Sequence, residues 1–163
     1  MSILKPIDDN YVCAVAYTPA DILRAISVFN GLVYVETDSK GSQLRDLSPY
    51  DFFMVNRVLS FGPVQQTSSN KYSRMRYECL LTIAQPINPD LEVETVNVPG
   101  QFDEITAQFL TLEFTNLFRA YFNCCGHTVD NIRFRPIWNS NVAIPAINHS
   151  GVEITFNLTI DRV

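Results

Sequence analysis

The cysteine and histidine residues that follow the middle of the chain are the first candidates for chemistry. Cys124, Cys125 and His127 lie close together, and thiolate and imidazole groups are the usual ligands of zinc. Adjacent cysteines, however, cannot both reach one tetrahedral ion as a Cys-x-x-Cys pair does, and no second Cys/His pair has ligand spacing. The sequence therefore predicts no metal site. It favours small core residues near a helix end for the two cysteines.

Three other kinds of catalytic or cofactor site also lack the residues that they need. A cysteine nucleophile paired with His127 or His149 has no electropositive environment or oxyanion turn in the sequence to activate it. The six glycines form no phosphate-binding loop. The carboxylate pairs Asp8-Asp9 and Asp103-Glu104 are adjacent and point apart, as in solvation or helix capping. We therefore expect a protein that is not an enzyme and that uses no cofactor.

Arginine is the residue type whose placement is most informative. Nine of the twelve basic residues are Arg, which is favoured where a cation makes fixed hydrogen bonds or lies in an interface. Five arginines lie on predicted strands, and the two pairs have same-face spacing: Arg57, Arg74, Arg76, Arg133 and Arg135. They form either a solvated sheet face with cross-strand ion pairs to Glu78 or Glu153, or a contact face for a partner protein or a phosphate backbone.

Length and composition predict one folded domain over residues 1–163. The chain is 47% hydrophobic and its net charge of −5 opposes general affinity for nucleic-acid phosphates unless positive charge is clustered. No apolar stretch is long enough to cross a membrane, and four irregularly spaced cysteines without a signal peptide favour reduced thiols. Only 18% of the residues are charged, where about 25% is usual, which favours a surface shared with neighbouring subunits.

A short helix and a strand are predicted near the start of the chain. Thr18 is a suitable N-cap, Pro19 suits the first helical position, and Asn30-Gly31 is a typical C-terminal stop. Residues 32–37 are rich enough in β-branched and aromatic side chains for a strand.

A long β-hairpin is predicted over residues 51–86, where the hydrophobic pattern alternates with period two. Strands of this length extend beyond a small core, so one end projects or packs on another subunit, unless Gly62-Pro63 ends the first strand. A proline-rich extended connection, with room for one edge strand, follows at residues 86–101.

The strongest helix signal covers residues 103–125, with Asp103 as a cap and Gly126 as a left-handed stop. Its apolar residues form two sets at helical spacing. One set is Ile105, Phe109, Leu112, Leu117, Tyr121 and Cys125, and the other is Leu110, Phe114, Phe118 and Phe122. Together the two sets occupy more of the helix circumference than one face of a sheet can cover. The helix therefore either lies at the centre of the domain or buries its second side against a neighbouring subunit.

A second hairpin is predicted at the end of the chain. Residues 152–160 alternate between apolar and polar side chains, which indicates one buried and one solvated face. The preceding apolar loop segment, residues 142–147, is either tucked under the domain or buried by another subunit. The predicted fold is α+β: an antiparallel sheet with long β-hairpins, packed against one long and one short helix.

Residues 18–160 resemble the tail-terminator (tail-completion) proteins of tailed bacteriophages. The resemblance is carried by size, by the element order and by the last strand, with its pattern Val152-x-Ile154-x-Phe156-x-Leu158. The stretch before Thr18 and the proline-rich segment at 86–101 depart from the family pattern, which leaves open another position in the neck or tail.

This resemblance implies a structural virion protein without catalytic residues. Proteins of that family form a ring, usually hexameric, which caps the tail tube and joins it to the neck. The implied partners are further copies of the chain, a tail tube protein and a neck or connector protein. Double-stranded DNA would pass through the channel without specific binding, no membrane is involved, and assembly would take place in the host cytoplasm.

In such a ring we expect the long helix or the hairpin at residues 52–86 to form the subunit contact. The candidate contact residues are Arg57, Arg74, Arg76, Arg133 and Arg135 on strands, Phe114 and Phe118 on the helix, and Ile144 and Pro145 in the loop. The alternative function is an anion-binding or nucleic-acid-binding domain that uses the strand-borne arginines.

Overall fold

The computed structural model describes residues 4–12, 16–35, 52–64, 74–86, 104–123, 126–144 and 148–161. In chain order the elements are α1 (Pro19–Asn30), β1 (Val33–Val35), β2 (Phe53–Val64), β3 (Arg74–Pro86), α2 (Glu104–Glu113), a π-helical turn (Phe114–Phe118), α3 (Arg119–Asn123), β4 (Thr128–Ser140) and β5 (His149–Asp161). Helical backbone continues through both ends of the π-helical turn, so α2, the turn and α3 together are called the long helix. The predicted order of helix, strand, hairpin, long helix and hairpin is confirmed.

The five strands form one sheet in the order β1-β2-β3-β5-β4. The pairs β2–β3, β3–β5 and β4–β5 are antiparallel, whereas β1 runs parallel to β2. The α+β class is therefore confirmed, but the sheet is mixed rather than wholly antiparallel. Parallel neighbours need a crossover of about a dozen residues or more, and the sequence between Val35 and Phe53 is long enough to provide one.

Helix α1 begins and ends where the sequence predicts. Thr18 has extended backbone and Pro19 occupies the first turn. The Asp21 carboxylate accepts hydrogen bonds from the amides of Tyr17 and Thr18 at 2.9 and 3.1 Å. Burial raises the pKa of Asp21, but these hydrogen bonds lower it by more, so its pKa lies below the usual value. A left-handed φ of 69° at Gly31 ends the helix.

The long helix changes its winding at the π-helical turn. The buried residues are Ala107 and Leu110 in α2, Phe114 and Phe118 in the turn, and Tyr121 and Phe122 in α3. A π turn contains one residue more than an α turn, which rotates all later side chains by about 100° around the helix axis. The side chain of Tyr121, which the sequence analysis groups with Ile105, is fully buried.

Gly126 ends the long helix in the left-handed conformation that the sequence predicts, with a φ of 80°. The amides of Gly126 and His127 donate to the carbonyl oxygens of Asn123 and Phe122 at 3.0 and 3.2 Å, which satisfies two carbonyls of the last turn. The predicted cap Asp103 and the two cysteines at 124 and 125 lie outside the described residues.

The helices cover one face of the sheet, which we call the helix face. The strand residues buried there follow the predicted period of two: Tyr77, Cys79, Leu81 and Ile83 on β3, and Val152, Ile154, Phe156, Leu158 and Ile160 on β5. The ring of Phe118 meets that of Phe156 edge-on, with 5.3 Å between centroids. Both hairpins are therefore as predicted, and so are the buried faces of β3 and β5.

Residues 4–12, which precede the part resembling the phage family, pack against both helices. Leu4 is buried, and its amide donates to a carboxylate oxygen of Glu113 at 2.8 Å. The Tyr121 hydroxyl donates to the carbonyl oxygen of Lys5, and the Tyr11 ring lies edge-on to Tyr121 at 5.0 Å between centroids. This segment is part of the main core.

Candidate interaction surfaces

The strand-borne arginines all lie on the face of the sheet opposite the helices, which we call the open face. Arg57 pairs with Leu80 across β2 and β3, and Leu80 pairs with Thr155, which pairs with Arg133. Residues directly opposite each other point to the same side, and so do residues two apart on a strand. Arg74, Arg76 and Arg135 therefore share the face of Arg57 and Arg133. The sequence predicts each pair on a common face but does not predict that both pairs meet on one.

Two of these arginines form ion pairs within the described residues. Arg135 contacts Glu153 at 2.8 Å, and Arg76 contacts Asp130 at 3.4 Å. The first is one of the predicted cross-strand pairs. The other proposed acidic partner, Glu78, accepts a hydrogen bond from the Ser60 hydroxyl at 3.0 Å. Exposed ion pairs of this kind contribute about 0 to 1 kcal/mol each to the free energy of unfolding. Their main effect is therefore to hold the charged side chains of the open face in place.

One end of the open face carries a small apolar cluster. Its buried members are Val35, Phe53, Val55, Ala84 and Ile144. Ile144, which lies between β4 and β5, therefore packs on the sheet of its own subunit. Of the two alternatives for the apolar loop, burial under the domain is confirmed for Ile144, so its assignment to a subunit contact is corrected. Pro145 lies outside the described residues.

Phe114 and Phe118 also lie in the core rather than at a surface. Both side chains are fully buried, and their rings pack against each other with 4.8 Å between centroids. Their assignment to the candidate contact surface is therefore wrong. The physical reason is that the sheet covers the side of the long helix that carries these two rings, while the other apolar side faces outward.

The outward side of α2 carries three large apolar side chains, which we call the helix stripe. Ile105, Phe109 and Leu112 are 63%, 52% and 58% exposed. Their spacing of four and three residues places them on one side of an α-helix. The hydrophobic pattern of the sequence groups these three residues in one of its two apolar sets. Periodicity alone does not show which of the two sets the sheet covers.

An apolar groove of about 430 Å³ lies beside the helix stripe, between α2 and strands β4 and β5. It is lined by Ala107, Gln108, Thr111, Leu112, Pro136 and Val152. Leu112 belongs to both the groove and the stripe, so the two form one continuous surface. Within the part of the chain that the structure describes, nothing fills this groove.

A second apolar surface lies on the outer part of the first hairpin. Val58, Leu59 and Phe61 are exposed, Phe61 by 70%, and we call them the hairpin patch. The pairing between β2 and β3 shifts by one residue between Val58 and Ser60, so Leu59 is the extra residue of a β-bulge. The Phe61 ring stacks on Tyr77 at 6.0 Å between centroids. The strand continues past Gly62-Pro63 to Val64, so the alternative that these two residues end the first strand is wrong.

The thiol and imidazole groups within the described residues are buried. Cys79 is fully buried and reduced, and burial raises the pKa of its thiol to about 12. His127 and His149 are buried as well. The described residues contain no group of three or more His, Cys, Asp or Glu side chains that could hold a metal ion. Cys124 and Cys125 lie outside this range.

No protein-family model matches the chain, and no curated protein matches it. Among the described helices, none has the length and apolar character needed to span a membrane.

Proposed function

We propose that this protein is a structural, non-catalytic subunit of an oligomeric ring that caps a phage tail tube and joins it to the neck. The observation that carries the proposal is the long helix, whose first half is apolar on two opposite sides. The sheet covers one side, and the helix stripe leaves the other exposed. Contiguous exposed apolar side chains on a chain of low charge content are typical of surfaces buried by association.

Two further features support a phage tail or neck role. The order of elements matches the order that carries the resemblance to tail-terminator proteins. The first hairpin carries the exposed apolar residues of the hairpin patch. A free monomer gains nothing from either exposed surface, whereas a ring subunit buries both.

The test is to measure the mass of the purified full chain by sedimentation velocity and native mass spectrometry, alone and with a phage tail tube protein. We expect a closed species of fixed stoichiometry that appears as a ring with a central opening in electron micrographs. Added to polymerising tube protein, it should limit tube length. A strict monomer at tens of micromolar, both alone and with the tube protein, would contradict the proposal.

A second function, anion or nucleic-acid binding, is favoured by the arrangement of the arginines on the open face. Arg57 and Arg133 lie in one cross-strand row, so three strand spacings, roughly 14 Å, separate them. No described acidic group is ion-paired with either residue. Arginines held at fixed spacing on a sheet suit a phosphate backbone.

This second function predicts salt-dependent affinity for short double-stranded DNA. The double variant Arg57→Ala/Arg133→Ala should weaken binding and reduce its salt dependence. Arg119→Ala is the matched control, because Arg119 is exposed on the long helix and not on the sheet. Absence of binding at low salt, or an equal loss in the control, would remove this function.

A further inference from the structure

The Asn30 side chain lies where the end of α1, the long helix and residues 4–12 meet. Its Oδ1 atom accepts a hydrogen bond from the Lys5 amide at 2.8 Å. Its Nδ2 atom donates to the Ile26 carbonyl oxygen at 2.9 Å and to the Tyr121 hydroxyl at 3.2 Å. The Tyr121 hydroxyl in turn donates to the carbonyl oxygen of Lys5. The Asn30 carboxamide therefore helps to hold residues 4–12, which we call the strap, against both helices.

Asn30 and Gly31 form the only Asn-Gly pair in the sequence, and such a pair is chemically reactive. Glycine has no Cβ, so its backbone nitrogen can approach the preceding side chain closely. The Gly31 nitrogen attacks Cγ of Asn30, the new C–N bond closes a succinimide ring, and the Cγ–Nδ2 bond breaks as ammonia leaves with the amide proton. A water molecule then opens the ring at either carbonyl and leaves aspartate or isoaspartate at position 30. The net reaction consumes water and releases ammonia, and it needs no oxidant or reductant.

The folded structure opposes this reaction in two ways. The Gly31 amide donates to the carbonyl oxygens of Ser27 and Val28 in the helix cap, which keeps its proton in hydrogen bonds. The Asn30 carboxamide is fixed through both its oxygen and its nitrogen, and Lys5 of the strap is the donor to the oxygen. Rotation of the carboxamide towards the Gly31 nitrogen therefore requires the strap to leave.

The strap is the part of this arrangement that opens most easily. It contains neither helix nor strand, and most of its side chains are exposed. Leu4 is its one fully buried side chain. Segments with few buried apolar contacts and exposed backbone open at a lower free energy than the core. Local opening of the strap therefore exposes Asn30 more often than global unfolding does.

We propose that Asn30 is a deamidation site guarded by the strap, and that its modification undocks the strap irreversibly. An aspartate at position 30 lacks the Nδ2 donor, so a carboxylate oxygen faces the Ile26 carbonyl oxygen without a proton between them. An isoaspartate adds a carbon to the main chain at the helix end and disrupts the cap at Gly31. Either product weakens the contact that holds the strap. The inference concerns a single subunit and does not depend on assembly into a ring.

Peptide mass mapping of the full chain, incubated at mildly alkaline pH with and without denaturing urea, measures the rate of deamidation at Asn30. The reaction should be slower in the folded protein than in the unfolded chain. Leu4→Ser removes the buried anchor of the strap and should accelerate the reaction in the folded protein by roughly tenfold or more. Asp9→Ser is the matched control, because Asp9 is an exposed residue of the same segment. Its rate should equal that of the wild type.

Maleimide labelling of the fully buried Cys79 thiol in the wild type measures global unfolding under the same conditions. Folding should slow the labelling of Cys79 far more than it slows deamidation at Asn30. Urea below the unfolding transition should accelerate the labelling steeply and the deamidation only weakly, because opening of the strap exposes little surface. This comparison needs no variant, so it tests the guard even if Leu4→Ser does not fold.

Hydrogen exchange tests the consequence of the modification. In Asn30→Asp the amides of Leu4 and Lys5 should exchange faster than in the wild type, whereas those of β5 should not change. The inference is overturned if Asn30 deamidates equally fast in the folded and unfolded protein, or if its rate follows Cys79 labelling at every urea concentration. It is also overturned if Leu4→Ser folds but leaves the rate unchanged, or if Asn30→Asp leaves the exchange of the strap unchanged.

Discussion

Gly151 lies at the closest approach of β5 to β3. A Cβ atom built there would collide with the carbonyl oxygen of Ile83 and would lie 2.5 and 2.6 Å from the Cα and Cβ atoms of Ala84. These are backbone and short side-chain atoms, which cannot rotate away. Glycine is therefore required at this position by the packing between two strands, since its backbone φ is not in the left-handed region.

Gly151→Ala should therefore lower the free energy of unfolding by about 1 to 3 kcal/mol, the usual cost of forcing extra volume into a packed core. Gly62→Ala is the control, because a Cβ there meets nothing within 4 Å. That variant should change stability by less than about 1 kcal/mol. Urea denaturation followed by circular dichroism measures both, and equal stability of the two variants would contradict the close approach.

Cys79 makes stability depend on pH in the alkaline range. The pKa of its thiol rises from 9.0 to about 12 in the folded state because of burial. The folded protein then holds a proton that the unfolded chain releases, so the stabilising effect is complete below pH 9 and is lost as pH rises towards 12. Burial raises the pKa of Tyr121 too, which acts in the same direction.

The free energy of unfolding should accordingly fall above pH 9, with Cys79 contributing up to about 1.4 kcal/mol per pH unit. The variant Cys79→Ala should lose that contribution to the slope while keeping the part due to Tyr121. Urea titrations at a series of alkaline pH values give the two slopes. Identical slopes in the wild type and the variant would show that the thiol does not ionise on unfolding in this range.

At the scale of elements, the sequence predicts which side of a strand is buried, because apolar side chains on the buried side alternate with polar side chains on the other. The alternation around Cys79 and Phe156 therefore predicts the buried faces of β3 and β5 correctly. The parallel pairing of β1 cannot be predicted from the sequence, because the direction of pairing depends on which strand of the sheet becomes the neighbour of β1. For the same reason the sequence shows that Arg74 and Arg76 share a face, but not that Arg133 joins them.

The long helix shows a second limit of periodicity. Two apolar sets predict two buried sides, yet nothing in the spacing says that the sheet covers the side of Phe118 rather than that of Phe109. The π-helical turn is equally invisible to a period of 3.6, because it changes the phase of the pattern after Phe114. The two candidate contact residues on the helix, Phe114 and Phe118, therefore lie on the covered side.

The two sides of the long helix should respond differently to loss of a phenyl ring. Phe118→Ala creates a cavity in the core and should lower the free energy of unfolding by about 3 to 5 kcal/mol. Phe109→Ala removes an exposed ring and should change the free energy of unfolding of the dilute protein by no more than about 0.5 kcal/mol. Thermal or urea unfolding at low protein concentration distinguishes the two sides, and a large loss for Phe109→Ala would contradict its exposure.

At the scale of the whole molecule, the residues of the main core differ from those of the helix stripe and the hairpin patch. The main core extends from Leu4 to Ile160 and lies between the sheet and the helices. The helix stripe and the hairpin patch lie outside it. Changes at Phe61 or Phe109 should consequently alter association while leaving the folded subunit intact, which is why assembly variants of this protein are expected to be soluble, folded monomers.

Thermal stability should therefore depend on protein concentration in the wild type and not in a variant that lacks one of the two surfaces. Association stabilises the folded state by mass action, and a concentration one hundred times the dissociation constant adds about 2.7 kcal/mol. For a domain of this size that corresponds to a rise in Tm of roughly 5 to 10 °C. Phe109→Ser/Leu112→Ser should show a Tm that does not change with concentration, whereas Val28→Ser, at an exposed residue of α1, should follow the wild type. Because the variant keeps the whole core, its Tm should equal that of the wild type at high dilution; a lower value there would mean that the helix stripe stabilises the subunit itself rather than its contact with a neighbour.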